Sequence, residues 1–388
     1  MMCMAVAFGA CTMMEEDRSD CPTGLFVRFV YDYNTQRADM FKDHVGYVTV
    51  YVYDESGNKV AEKSVANTLA TMPLAQYGYT MHFTEAELPA GHRYRLQAVA
   101  MQKDWDEALA TPGAKYRRNN PTNATSLTIS LDHEPATIPG ASASGVSNAA
   151  PLDTLWHTLK VMSLEPTYGY SAPAMPKTTK PYSVYPVEDQ MVTLRPGYAS
   201  YATISLIRDT KHLNVTLRQL DNPADINADD YEVTIVDDNA LLGADNSLLP
   251  GDSLLYTPYA QWTTRFDEDG IAVEGDVHPA TRATVVSRAA HYDVMFNRLM
   301  FNDDSEKSAK LCIRHKQTGK IVGYFNLPYL LAEGRIAWEM YNYSPQEYLD
   351  REYDYRLDLF LKGDQWQYVD IVINVLSWSK RKQYVELN

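Results

Sequence analysis

No apolar run in this chain of 388 residues reaches the roughly 18 residues that a membrane-crossing helix requires. Cysteine is scarce and unevenly placed. Of the four, Cys3, Cys11 and Cys21 open the chain and Cys312 stands alone, with no CxxC pair for zinc and no spacing typical of a disulfide framework. Basic charge falls short of acidic, 35 Lys and Arg against 50 Asp and Glu, for a formal net charge of -15. A surface that acidic argues against nucleic acid or an anionic membrane surface as partner. Catalytic signatures are missing too: there is no GxSxG elbow, no HExxH pair and no GxxxxGK(S/T) phosphate loop. The nine histidines are scattered singly. His212 falls on the polar face of a strand, where a lone imidazole is solvated or hydrogen-bonded far more often than it ligates. The expectation is a protein that is not an enzyme and has no cofactor, metal site or catalytic residue.

What is present is an ordinary globular composition, 45% hydrophobic and 22% charged. Its length suggests two domains. Phe and Trp are few, at 10 and 6, but Tyr reaches 28. Tyrosine favours strands and half-buried sheet faces.

Residues 1–10 are uncharged and apolar and end in small residues, like the core of a secretion signal. The basic flank is missing, so either translation starts upstream of Met1 or the signal is short. Phe8-Gly9-Ala10-Cys11 resembles a bacterial lipobox, with Phe where Leu is usual. Cys11 is therefore the expected lipidation site, residues 11–20 an acidic tether, and Cys21 the start of the folded part. At about 0.8 kcal/mol per buried CH₂, several acyl chains anchor where a single one does not. Cys21 is left free or paired with Cys312.

The body alternates with period two, the mark of half-buried strands. Leu25, Val27 and Phe29 share a face; Val48, Val50 and Val52 share another, with Tyr47, Tyr51 and Tyr53 opposite. Leu213, Val215 and Leu217 alternate with His212, Asn214, Thr216 and Arg218. Tyr355, Leu357, Leu359 and Leu361 alternate with Asp354, Arg356 and Asp358, and Val369 to Val375 is a last apolar strand. Leu155 to Leu164 reads as one strand. Helices are few: Ser344-Pro345-Gln346-Glu347 is a capping box that starts one, and residues 327–333 are a second short helix, stopped by Gly334. Residues 132–151 and 171–186 read as irregular. A boundary near Asp189 divides the chain into domains 21–188 and 189–388. The fold class is all-β, two β-sandwich domains with Greek-key-like topology and few short helices.

Several candidate sites carry a plainer reading. The run Asp237-Asp238-Asn239 to Asp245-Asn246-Ser247 lacks the spacing of a calcium loop and suits a turn between strands. Cys312, between Leu311 and Ile313, reads as an inert buried thiol. Trp262 and Trp378 would suit sugar stacking if exposed, but such residues are more often core or edge.

Asp20-Cys21-Pro22-Thr23-Gly24-Leu25, Val48-Thr49-Val50-Tyr51-Val52-Tyr53-Asp54, Thr210-Lys211-His212-Leu213-Asn214-Val215-Thr216-Leu217, Glu347-Tyr348-Leu349-Asp350-Arg351-Glu352 and Ile371-Val372-Ile373-Asn374 occur in this order. In that order and spacing, from about Cys11 to Trp378, the chain resembles the FimB/Mfa-type fimbrial anchor family of Bacteroidetes. It departs near the end, where Asn374 and Trp378 are separated by Val-Leu-Ser instead of forming Asn-Gly-Trp. The resemblance implies transthyretin-like sandwiches and a non-catalytic lipoprotein on the cell outer membrane, surface-exposed and lipid-anchored through Cys11. Its implied partner is the first fimbrillin subunit, held by strand complementation. The rival readings are a fimbrial tip adhesin of the same fold and a glycan-binding surface lipoprotein. Asp153-Thr154-Leu155 and Asp252-Ser253-Leu254 look like bacterial O-glycosylation tripeptides, which makes Thr154 and Ser253 candidates.

Overall fold

The computed structural model describes residues 22–66, 74, 79–138, 141–145, 150–164, 191–273, 286–302, 304–336, 342–375 and 378–384. Cys11, Cys21 and the stretch 171–186 lie outside them. The chain is all-β and sandwich-like, with short helices.

One large sheet runs in the order Lys59–Ala66, Tyr47–Tyr53, Arg93–Met101, Leu155–Leu164, Ala199–Arg208, Gly24–Val30 and Thr80–Phe83, with Val192–Thr193 added beside Arg93–Met101. Its inner face gathers Leu25, Val27, Phe29, Val48, Val50, Val52, Leu96, Ala98 and Ile204 into one core around Trp156. The alternation of Tyr47–Tyr53 is as expected, but its opposite face is also buried. Tyr51 and Tyr53 belong to the second core, with Leu127, Ile129 and Leu131. Among the described residues many of the tyrosines are interior: Tyr31, Tyr33, Tyr51, Tyr53, Tyr256, Tyr292 and Tyr348 are among the largest fully buried side chains. Burial of a phenol requires a partner for its hydroxyl. Tyr53 donates to Gln97 Oε1 at 3.0 Å and Tyr292 to the Ala228 carbonyl at 2.8 Å.

The second half stacks a seven-stranded sheet on a six-stranded one. The first runs Ala272–Val273, Ala260–Phe266, Ser287–Phe296, Lys211–Gln219, Asp354–Lys362, Gln365–Val375, Trp378–Tyr384. The other runs Ile321–Asn326, Lys310–His315, Tyr231–Asp237, Leu254–Tyr256, Ala141–Gly145, Glu134–Ile138. Leu213, Val215, Leu217, Leu357, Leu359, Val233, Ile235, Leu311 and Ile313 fill the core of this half. Among the described residues three joints are parallel: Gly24–Val30 with Ala199–Arg208, Lys211–Gln219 with Asp354–Lys362, and Leu254–Tyr256 with Ala141–Gly145.

One expectation is corrected here. Residues 132–151 are not all loop, because Glu134–Ile138 and Ala141–Gly145 form a hairpin whose second strand joins Leu254–Tyr256. Small and polar residues suit an added strand as well as a turn when the partner supplies the hydrogen bonds. Beyond Asp189, Val192–Thr193 and Ala199–Arg208 both pair within the first sheet. The chain crosses to the seven-stranded sheet at Asp209 and Thr210, both fully buried. A fresh strand run signals a strand, not which sheet receives it.

That crossing is held by buried polar groups. His157 Nδ1 lies 2.5 Å from Asp209 Oδ2, and Asn246 donates to Asp209 Oδ1 at 2.7 Å. Thr210 Oγ1 accepts from the Leu155 N–H at 3.0 Å and donates to the Asp153 carbonyl at 3.1 Å. Lys211 Nζ donates to the carbonyls of Asp350 and Glu352 at 2.9 and 2.8 Å, and Arg298 forms a two-pronged pair with the Asp350 carboxylate, 2.9 Å in each prong.

The capping-box helix forms as read: Pro345–Arg351 starts at Ser344, whose hydroxyl accepts from the Glu347 N–H at 3.1 Å. The other helix, Leu327–Ala332, is not stopped by Gly334 but runs on into a 3₁₀ turn, Glu333–Ile336. Gly334 is required by packing: a Cβ there would lie 2.5 Å from Tyr348 Oη. Gly334→Ala is expected to destabilise the protein by about 1–3 kcal/mol through overpacking, measured by urea unfolding.

Candidate functional site

The polar face of Lys211–Gln219 turns away from the core, and the register assembles a groove on it. Asn214 lies beside Asp293 and Arg356, and Thr216 beside His291 and Asp358. Trp262, on Ala260–Phe266, is aligned with His291. The groove encloses about 450 Å³ and is lined by residues of all four strands.

Its side chains hold one another in place. His212 Nδ1 is 2.7 Å from Asp354 Oδ1, and its Nε2 is 3.3 Å from Asp293 Oδ1. Asn214 donates to Asp293 Oδ1 at 2.7 Å, Thr216 donates to Asn214 Oδ1 at 3.1 Å, and Thr216 Oγ1 lies 2.9 Å from His291 Nδ1. Burial opposes charge on His212, but its bonds to Asp293 and Asp354 outweigh that and hold it protonated up to about 9. Burial also works against the Asp293 carboxylate, yet the bonds from His212 and Asn214 keep it below the usual carboxylate range. His291 is pushed down, by burial first and then by Arg218. The two imidazoles therefore differ in charge at neutral pH.

A histidine whose folded-state pKa is raised stabilises the fold fully below its unfolded pKa, and that stabilisation is lost as pH rises through the folded value. The stability advantage of the natural protein over His212→Asn is expected to be greatest below about 6.5 and to disappear as pH passes about 9. Parallel urea-unfolding profiles of the two proteins across that window would contradict the assignment.

A second surface lies on the edge of the six-stranded sheet. Ile321–Asn326 pairs on one side with Lys310–His315, and among the described residues no strand pairs with its other side. Ile321 and Tyr324 are 55% and 60% exposed, and Tyr329 and Ile336, on the helical turns that follow, are about half exposed. An open edge of this kind is ordinarily blunted by charge. Lys59–Ala66, the edge of the first sheet, carries Lys59, Glu62 and Lys63, with ion pairs to Glu62 and Glu87. Ile321–Asn326 has no charged residue.

The residues singled out in the sequence fall in different places. Cys11 lies outside the described residues. Thr154 is buried at 6% exposure, whereas Ser253 is partly exposed and donates its hydroxyl to Asp238. Of the two hydroxyls, Ser253 alone is within reach of an enzyme acting on the folded chain. Cys312 is a free, half-buried thiol, its pKa raised by burial. Asn246, with φ of 62°, sits in a turn and bonds Asp209, so the acidic run from Asp237 contributes to the buried crossing. Among the described residues no group of three His, Cys, Asp or Glu is arranged to hold a metal ion, and no helix is long and apolar enough to cross a membrane. The sequence reading found the polar face of each groove strand separately. It missed the groove, because cross-strand register between distant segments leaves no mark in any one of them.

A family profile described as fimbrillin-A associated anchor proteins Mfa1 and Mfa2 matches residues 18–384. No curated protein matches the chain. Among solved structures, a candidate adhesin from Bacteroides thetaiotaomicron VPI-5482 is 24% identical with a TM-score of 0.65, covering 93% of this chain and 98% of its own. A candidate polysaccharide-binding protein from the same organism is 23% identical with a TM-score of 0.61, covering 93% and 99%. The fimbrial anchor protein Mfa2 from Porphyromonas gingivalis is 15% identical with a TM-score of 0.49, covering 92% and 99%. At these identities the likeness to solved structures is one of fold.

Proposed function

The chain belongs to the family of fimbrillin-A associated anchor proteins, and on that premise we propose that it holds a surface fimbria to the outer membrane by binding the first fimbrillin subunit. The family places it among cell-surface fimbrial proteins. The observation that carries the binding step is the uncharged edge Ile321–Asn326, which is open among the described residues, with Ile321 and Tyr324 exposed. An extended segment of a fimbrillin would add to this edge as a further strand. Main-chain hydrogen bonds would supply affinity, and the side chains of Ile321 and Tyr324 would set register.

Attachment is through lipidated Cys11, the first residue once the signal is removed. Residues 11–20 then act as the tether, and Ser253 is the accessible candidate for O-glycosylation.

The edge is tested with the double variant Ile321→Lys, Tyr324→Lys. Both side chains are more than half exposed, so the melting temperature should stay as it was while fimbrillin binding falls about tenfold or more, about 1.4 kcal/mol. Unchanged binding would remove this edge from the proposal. Attachment is tested by mass spectrometry of the membrane-extracted protein. An N-terminal triacylated Cys11 supports the anchor, and a mature start at a later residue favours a tip or stalk subunit. Deleting the gene should release or lengthen surface fibres; fibres of unchanged length and retention would refute anchoring.

A further inference from the structure

We propose that the groove on the seven-stranded sheet is a binding site for a neutral sugar ring, stacked on Trp262. The inference is independent of the anchoring role and of the edge Ile321–Asn326.

Trp262 is 42% exposed, although its indole is stacked on His291 with centroids 5.0 Å apart and planes 18° from parallel. His291 is fixed in turn by Thr216, 2.9 Å away. The exposed aromatic plane is thus held rigid in the free protein, so little ordering remains to oppose binding. A tryptophan placed for core packing would turn inward, as Trp156 does at 1% exposure.

The surroundings of that plane match the chemistry of a pyranose. Such a ring has an apolar C–H face, suited to an indole, and a rim of hydroxyls that each donate and accept. Beside Trp262 the groove offers the guanidinium groups of Arg218 and Arg356 as donors and the carboxylates of Asp293 and Asp358 as acceptors. Its volume of about 450 Å³ lies within the range of small-ligand sites, roughly 300–1,000 Å³.

Charge selects the class of sugar. The cations Arg218, Arg356 and protonated His212 are matched by Asp293, Asp354 and Asp358. Arg356 and Arg218 already face Asp354 and Asp358, each pair at 3.9 Å. A groove in which every cation has its carboxylate has no surplus positive charge for a uronic or sialic acid. The net charge of -15 over the whole chain repels polyanions further. The ligand is therefore a neutral hexose unit, as a residue of a surface polysaccharide or oligosaccharide.

The test titrates the full chain with maltohexaose, cellohexaose, mannohexaose and galactohexaose, and with hexagalacturonate as the acidic counterpart. Binding is read by calorimetry and by the NMR signal of the Trp262 indole N–H. At least one neutral hexaose should bind saturably below about 10 mM and move that signal. Trp262→Ala should weaken it about tenfold or more, about 1.4 kcal/mol, with the melting temperature unchanged. Trp262→Phe, which keeps an aromatic plane, should retain part of the affinity. Asp358→Asn, which keeps the shape of the groove, should weaken binding of the neutral hexaose and, by removing the charge that faces Arg218, strengthen that of hexagalacturonate. The proposal is overturned if no neutral hexaose binds, if binding is indifferent to Trp262→Ala, or if hexagalacturonate binds most tightly. Fimbrillin binding should be unaffected by Trp262→Ala, so failure here leaves the anchoring test standing, and the converse holds.

Discussion

Replacing Asp350 by alanine is expected to lower the free energy of unfolding by about 3–5 kcal/mol. The Asp350 carboxylate takes both prongs of the Arg298 guanidinium at 2.9 Å, with side chains 1% and 4% exposed. It also accepts from Gln346 Nε2 at 3.1 Å. Removing it takes the two-pronged carboxylate partner from a guanidinium charge in the interior, and that loss is the source of the penalty. Arg298 also donates to the Asn246 carbonyl, and Lys211 to the carbonyls of Asp350 and Glu352, backbone acceptors that the substitution does not remove. Asp350→Asn should fall between, because the amide keeps one acceptor but no charge. The informative comparison is Arg298→Met with Asp350→Leu. Taking out both charges together should recover most of the loss, since a buried pair replaced by apolar residues is often neutral or stabilising. Urea unfolding of the four proteins closes the cycle. A loss under about 1 kcal/mol for Asp350→Ala would show that the pair is not what holds the crossing.

The second large effect is a pH dependence at Lys211. This ammonium is fully buried, at 0% exposure, and burial pushes its pKa down to about 7, against the opposing pull of Asp350 and Asp209. In the unfolded chain a lysine keeps its proton up to about 10.4. Between those limits the unfolded state holds more protons, so stability rises with pH, by up to about 1.4 kcal/mol per unit for one proton. The contribution is complete above the unfolded value and lost as pH falls through the folded one. Lys211→Met cannot titrate. The difference in unfolding free energy between the natural protein and this variant should therefore shift in favour of the natural protein from pH 7 upward. The comparison cancels the opposite trend from His212, which both proteins share. Parallel curves would mean that Lys211 is protonated in the fold throughout.

The crossing that these residues hold was absent from the sequence reading, and the reason is physical. Lys211, Asp209, Arg298 and Asp350 look individually like ordinary solvated charges in their segments, and charged residues are rarely buried unless paired. Only the meeting of distant segments pairs them. The same limit applies to the groove. His212 was read correctly as a strand residue on a polar face, but its partners Asp293 and Asp354 come from strands on either side. Trp262 suits sugar stacking only if exposed, and exposure is a tertiary property.

The few cysteines, the missing catalytic motifs and the period-two segments are features of the sequence alone. They were enough for the strands Gly24–Val30, Tyr47–Tyr53, Leu155–Leu164 and Asp354–Lys362 and the helix started by Ser344, while the family rests on the likeness of whole segments in their order along the chain. Such features are local, because alternation of side chains and a capping box act within a few residues. The tertiary structure decided what depends on partners remote in sequence. It put Ala199–Arg208 into the first sheet, buried Tyr51 and Tyr53 on the far face of their strand, left Ile321–Asn326 at an edge, and brought Trp262, His291 and the paired charges together in one groove. A strand specifies its two faces by its own residues, but the sheet it joins and what covers each face are fixed by strands elsewhere in the chain.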